Sequence, residues 1–378
     1  MTAPLPASLG GDFSRRGFLL AGVAAAVAGV SGCAYGGDAT PKADSTPVVP
    51  KIDGDLVYFN WAEYVHPKVF RGFEEEYGVK IIESNYDSME GMQAKLAAGN
   101  RYDIIFPSAL WVKKLADANQ LHTIDPTTVQ NAPAIFDHYD YFADPWYDPK
   151  SSHSIPFTMY KTGIAWRKDK LGDELTGSWE DLWNEDSRGK TFLLDDRDEV
   201  LGMASLMLGL PLNTAAEGDL DAIVEKLTTL RPYLRGFSSD DYNNLLAGDA
   251  WMHQTWSGDM AALLWQAKDP SIYGFQTPSE GAPVNSDAYA IPANAEHPGT
   301  ALLFIDYMLR PENVKKNLNW IGYPMPVHGT EDAYETLVAD YPECRVSIED
   351  LEADLYFDGG SIDDLHARDA AYTEIKVG

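Results

Sequence analysis

The chain has 378 residues, with 29 Lys and Arg against 58 Asp and Glu, a formal charge of −29 at neutral pH. Its 45% hydrophobic content, with 10 Trp, 20 Tyr and 14 Phe, excludes a chain that is disordered throughout, and its length fits about two domains. So negative a chain repels nucleic acid, suits a cationic partner and stays soluble. Only two cysteines, Cys33 and Cys344, are present, which excludes a disulfide framework and a four-cysteine zinc site.

Residues 14–33 run from Ser14-Arg15-Arg16 through a short apolar stretch to Val30-Ser31-Gly32-Cys33. A charged start, an apolar centre and a small-residue end form an export signal. The apolar run 17–32 falls short of the roughly 20 residues that a membrane-spanning helix needs. Ser14-Arg15-Arg16-Gly17-Phe18-Leu19 resembles a twin-arginine export motif, and Val30-Ser31-Gly32-Cys33 resembles a lipobox whose cysteine becomes the lipidated first residue. Residues 1–32 are therefore expected to be a signal peptide, Cys33 the lipid anchor, and 33–50 a flexible tether of Ala, Gly, Pro, Ser, Thr and Asp. Cys344 is then unpaired and reads as a small buried hydrophobe.

Strand-like runs at 56–60, 80–84 and 103–107 alternate with helical segments at 67–77, closed by Gly78, at 89–98 and at 111–118. Asp87 and Glu90 have capping-box spacing before the second helix. A second series follows at 162–166, 179–183, 191–194, 200–208, 220–230 and 251–254, and a run at 288–292 leads to a helix at 300–309 stopped by Pro311. Short apolar runs alternating with helices predict an α/β fold with a parallel sheet, in two lobes. The stretch 346–367 holds seven acidic residues and no Lys or Arg, and reads as a solvated acidic face.

Enzyme signatures are missing. The chain has no Gly-x-Ser-x-Gly, His-Glu-x-x-His or Gly-x-Gly-x-x-Gly, and the phosphate-loop look of Gly189-Lys190-Thr191 fails because Asn184 stands where a glycine is required. The eight histidines are scattered, without metal-ligand spacing. Capture rather than catalysis is the expected activity.

The segment Tyr58-Phe59-Asn60-Trp61-Ala62-Glu63-Tyr64-Val65 ends the first strand with a carboxylate between aromatics, and strand ends of this kind face the ligand crevice of α/β proteins. Here the chain resembles the spermidine/putrescine-binding proteins, extracytoplasmic receptors of polyamine ABC importers. The likeness continues through Tyr86-Asp87-Ser88-Met89-Glu90-Gly91-Met92, Tyr102-Asp103-Ile104-Ile105-Phe106-Pro107-Ser108, Ser178-Trp179-Glu180-Asp181-Leu182-Trp183, Leu194-Asp195-Asp196-Arg197-Asp198-Glu199, Asp287-Ala288-Tyr289-Ala290-Ile291-Pro292 and Ile321-Gly322-Tyr323-Pro324, covering 55–330.

The resemblance implies a type II periplasmic-binding-protein fold, with two α/β lobes, a hinge and an interlobe ligand cleft. Lobe one comprises 51–158 plus 288–326, and lobe two 159–287 plus 327–378. It implies an extracytoplasmic receptor that hands a polyamine to an ABC permease with its associated ATPase; with the lipobox at Cys33, the protein is expected to be lipid-anchored on the periplasmic or extracellular face of the cell membrane. It implies neither a cofactor nor a metal. Family binding positions carry over to Trp61, Glu63, Tyr64, Ser108, Asp196, Glu199, Trp256, Asp287 and Tyr323. In that reading Asp287, Asp196, Glu199 and Glu63 hold ammonium groups, Trp61, Trp256 and Tyr323 wall the methylenes, and Tyr64 and Ser108 give neutral hydrogen bonds. Leu110 and Asn285 stand where the family offers aromatics, and the distal polar position near 356–358 has no clear counterpart. The alternatives are a receptor for another organic cation such as a quaternary amine, and an exported hydrolase or transferase built on the same lobes.

Overall fold

The computed structural model describes Lys42, residues 45–353 and residues 355–377. The expected signal peptide, Cys33 and most of the expected tether lie outside the described residues.

Among the described residues nine strands form the framework: β1 (Leu56–Trp61), β2 (Ile81–Tyr86), β3 (Ile104–Ile105), β4 (Ser154–Arg167), β5 (Thr191–Leu193), β6 (Leu234–Phe237), β7 (Met252–Trp256), β8 (Tyr273–Gln276) and β9 (Val284–Ala290). Their order is β2-β1-β3-β9-β4-β7-β5-β6, with β8 paired to β4 beside this path. Pairs within each half are parallel (β1 with β2 and β3, β5 with β6 and β7), whereas β4 and β9 run antiparallel to their neighbours. The arrangement is therefore mixed, not parallel throughout as the alternating pattern predicts, because β4 runs from one half into the other and β9 pairs antiparallel beside it.

β4 is the element on which both halves hang. Its first part pairs with β9, from Ser154↔Ala290 to Lys161↔Val284, and its second part pairs with β7 and β8, starting at Thr162↔Trp256. The sequence run 162–166 marks only the second part; Pro156, which cannot donate to a ladder, falls where the β4–β9 register shifts between Pro156 and Thr158. An irregular segment passes alongside, with the Pro324 carbonyl accepting from the Met159 amide at 3.0 Å.

Helices follow local chemistry. Pro67–Tyr77 starts on a proline, whose missing N–H costs nothing there, and ends where Gly78 takes a left-handed φ of 68°. Met89–Ala97 is capped by Ser88, whose Oγ accepts from the Gly91 amide, in place of the Asp87 cap expected from spacing. Pro311 ends one helix, Pro298–Met308, yet also opens another, Pro311–Ile321. In the first half Phe73, Phe106, Phe157, Tyr289 and Phe304 are fully buried; in the second, Trp179, Leu193, Leu201 and Ile223. The acidic stretch is solvated as expected, with Glu349, Glu352, Asp358 and Asp363 exposed and Asp350 and Asp364 half-exposed, while Val346, Leu351 and Phe357 anchor it inward and Ile362–Val377 is a helix whose Ala371 and Ile375 join the second core. Cys344 is a buried free thiol, 1% exposed.

Gly322 terminates Pro311–Ile321 at φ 77°, and a Cβ there would stand 2.2 Å from the Gly258 carbonyl oxygen and 2.6 Å from the Ala262 amide nitrogen. Gly322→Ala is expected to lower stability by about 2–4 kcal/mol, from clash and strain together. Urea denaturation measures it; a loss under about 0.5 kcal/mol contradicts this packing.

Candidate functional site

The strand ends of both halves converge on a cleft of 750 Å³. Trp61 closes β1, and two residues on, Glu63 takes a left-handed φ of 58° that turns the chain back so that Tyr64 enters the interior. Glu63 itself stays exposed at the lip, its carbonyl accepting from the Trp320 indole at 2.8 Å. The Tyr64 hydroxyl lies 2.8 Å from Thr158 Oγ1 and donates to Asp287 Oδ2 at 3.0 Å.

Asp287 sits on β9 opposite Thr158 of β4 and is 4% exposed, with the Tyr160 hydroxyl donating to its Oδ1 at 3.5 Å. Ser108 bridges to Asp287 through the backbone; it opens the helix Ala109–Asp117 without a side-chain capping bond. From the second half, Asp196 caps the helix Arg197–Met207 by accepting from the Glu199 amide at 3.0 Å. Glu199 is 2% exposed; its Oε1 accepts from the Trp256 indole at 3.1 Å, while Oε2 is buried without a partner among the described residues.

Rings fill the intervals. Trp61 and Trp256 lie with centroids 6.0 Å apart at 60°, Tyr160 stands 6.1 Å from Trp256, and Tyr323 stands 5.3 Å from Tyr64. Gly258 makes room for Tyr323, since a Cβ there would meet the ring at 2.1 Å. The Tyr323 hydroxyl donates to Asp259 Oδ2 at 2.8 Å.

All nine residues singled out from sequence line this one cleft: Trp61, Glu63, Tyr64, Ser108, Asp196, Glu199, Trp256, Asp287 and Tyr323. Leu110 and Asn285 line it too, so one stretch of wall is aliphatic and amide where aromatics were expected; Leu110 packs on Phe357. The sequence reading missed Tyr160, Asp241 and Asp259, which also face the space. Tyr160 is hidden in the middle of β4. Asp259 had a usable signal, because it opens the helix that follows β7, the same strand-end logic that marks Trp61.

The electrostatics are one-sided. Ten lining residues are acidic and none is Lys or Arg. Burial pushes Glu199 up to about 8, with Asp196 adding to it, and Asp196 up to about 7, with Asp198 adding to it. Burial likewise lifts Asp287 to about 7 against the hydrogen bonds of Tyr64 and Tyr160. Asp198 shows what a counter-charge does. Burial works to raise it, but Arg197 at 2.8 Å and Arg368 at 3.2 Å hold it below the usual carboxylate range. Glu199, Asp196 and Asp287 lack such a partner. An enclosed space with unmatched carboxylates and ring walls, and with no histidine or cysteine on its lining, is built to take in an organic cation.

The sequence pattern of a family described as bacterial extracellular solute-binding protein matches residues 68–345. The spermidine/putrescine-binding periplasmic protein of Escherichia coli (strain K12) is 34% identical over 274 residues, 72% of this chain and 77% of that protein. The putrescine-binding periplasmic protein PotF of the same organism is 30% identical over 287 residues, 68% of this chain and 74% of that one. Among solved structures, the Tp0655 (TpPotD) lipoprotein of Treponema pallidum superposes with a TM-score of 0.73 at 26% identity, covering 85% of this chain and 99% of that one. The two-lobed α/β fold is shared with these binding proteins.

Glu199 keeps its proton in the folded, ligand-free protein at a pH where the unfolded chain has lost it. Folding therefore takes up a proton between about pH 4 and 8, and this group erodes stability as pH rises through that window, by up to about 1.4 kcal/mol per pH unit. Glu199→Gln removes the effect. Thermal denaturation should find the variant gaining on the wild type from pH 5 to pH 8, by about 2 kcal/mol or more; a gap independent of pH contradicts the burial of an unmatched Glu199.

Proposed function

Because the chain belongs to the bacterial extracellular solute-binding proteins, we propose that it captures a polyamine, spermidine or putrescine, between its two lobes and delivers it to the permease of an ABC importer. The observation that carries this reading is the cleft's ten acidic side chains without one Lys or Arg. The relatives named for spermidine and putrescine support it.

A polyamine is a methylene chain interrupted by ammonium groups, and the cleft offers both kinds of surface. Asp287, on β9 opposite Thr158 of the strand β4 that both halves use, takes one ammonium. Asp196 and Glu199 take another from lobe two, Asp259 adds a station beside Tyr323, and Glu63 approaches from the lip. Trp61, Trp256 and Tyr323 cover methylenes, with cation–π attraction of about 0.5–2 kcal/mol per contact, and Tyr64 and Ser108 add neutral hydrogen bonds. A neutral sugar would leave these carboxylates buried and unmatched at several kcal/mol each. A quaternary amine has no N–H to give the empty Glu199 Oε2, which favours primary and secondary ammonium groups.

Lobe one is read as 51–158 plus 288–326 and lobe two as 159–287 plus 327–378, closing on the ligand through contacts from both sides. The twin-arginine motif and lipobox lead to export and to a lipid anchor at Cys33, on the outer face of the cell membrane; the likeness to a lipoprotein is in keeping. The bound amine is released unchanged.

Calorimetry should give a Kd of about 1 μM or below for spermidine or putrescine. Asp287→Asn should weaken binding by about 100-fold or more, whereas Asp363→Asn, exposed on the C-terminal helix, should leave it within about twofold. Equal losses in the two variants contradict the site. Affinity should also fall as pH drops from 8 to 5, because Glu199, Asp196 and Asp287 must shed protons to meet the cation; a flat profile contradicts recognition by these acids.

A further inference from the structure

Four of the cleft's ten acids, Asp195, Asp196, Asp198 and Glu199, belong to one short segment, 194–199, which leads from β5 into the first turn of the helix Arg197–Met207. Asp195 and Asp198 have cations of their own, Lys376 for the first and Arg197 with Arg368 for the second. Asp196 and Glu199 have none among the described residues, so like charge works to splay the segment wherever both ionise.

Gln254, in the middle of β7 and fully buried, holds that segment together. Its Oε1 accepts from the Leu194 amide at 3.3 Å, and its Nε2 donates to the Glu199 carbonyl at 3.0 Å. One neutral side chain thus bridges the two ends of the acidic segment. A buried amide is costly unless both of its ends are satisfied, and here the backbone of this one segment satisfies both. Trp256, two residues on and therefore on the same face of β7, donates its indole N–H to Glu199 Oε1 at 3.1 Å. The strand grips Glu199 twice, by its backbone through Gln254 and by its carboxylate through Trp256. Oε2 is the atom left buried and without a partner among the described residues. Few side chains could replace the amide: asparagine is one methylene shorter, methionine has the length but no donor, and ionised glutamate has no donor and adds negative charge.

We infer that Gln254 is a positioning residue for amine capture: by bracketing 194–199 it holds Glu199 with one carboxylate oxygen engaged and the other open to an ammonium group. This rests on the polyamine reading for the identity of the cation. Gln254 is not among the residues that line the cleft, and it acts on the ligand only through Glu199 and its neighbour Asp196. Because the segment is ordered in advance, the ligand does not have to order it on binding.

Removing the amide while keeping the length separates positioning from bulk stability. In spermidine calorimetry Gln254→Met should weaken binding by about tenfold or more in the wild-type chain, but by less than about threefold in Glu199→Gln, where the carboxylate it aims is already gone. Equal factors in the two backgrounds would overturn the proposal, because a general loosening of the fold costs the same in both. Gln254→Asn should show the same non-additivity at smaller size, and stands in if the methionine variant does not fold. A second measurement needs no ligand. In the nuclear magnetic resonance spectrum of the empty protein, Glu199→Gln should move the Trp256 indole N–H signal, assigned by its loss in Trp256→Phe. After Gln254→Met that response should vanish; a response of unchanged size would overturn the proposal. If the wild type binds no polyamine, the functional reading fails while the indole signal still decides whether Gln254 holds Glu199.

Discussion

Unmatched negative charge in an enclosed space is the constraint on which this molecule turns. Asp196, Glu199, Asp259 and Asp287 gather around one cleft and are each pushed upward by burial, while Asp198, a few ångströms of chain away, is satisfied by two guanidinium groups and behaves oppositely. A protein that wanted only structural ion pairs would have given all of them arginines. Leaving them without counter-charges creates a demand that a multiply protonated guest meets and a neutral one does not. In the proposed reading, the ligand-free groups are relieved by holding protons or by hydration of the cleft, and the loaded ones by ammonium, so that closure and charge neutralisation become one event.

The scaffold makes that event mechanical. β4 belongs to both halves, handing its pairing from β9 to β7 between Lys161 and Thr162. Asp287 lies on β9 against this strand, its carboxylate tied through Tyr64 and Tyr160. Tyr323 reaches the cleft because Gly322 turns the chain after Pro311–Ile321 and Gly258 leaves room for the ring. Two missing side chains therefore position one wall of the site.

Much of this was legible in the chain, for different reasons. Gly78 and Pro67 bound their helix because their backbone preferences are intrinsic. The joint placement of Trp61, Asp196, Glu199 and Asp287 was legible only by resemblance, since an isolated tryptophan or aspartate carries no sign of which surface it faces. Other features are tertiary and left no local trace. β4 was read only as the short run 162–166, while antiparallel pairing with β9 extends it back through Pro156 to Ser154. Pro311 was read as a stop, which it is, and the helix it opens was overlooked. The acidic stretch hid a helix whose burial depends on Ala371 and Ile375, beyond the charged run. Asp241 and Asp259 are eighteen residues apart in sequence, and only the meeting of two helix starts brings both to the cleft.

The most direct test of the account is the proton balance of amine binding. Calorimetric titration of the purified protein with spermidine, repeated at pH 7 in buffers of different ionisation enthalpy, reports the protons exchanged per ligand. The account predicts net release, as ammonium groups displace the protons that Glu199, Asp196 and Asp287 hold in the empty cleft. Binding with no proton exchange, or with net uptake, would contradict it.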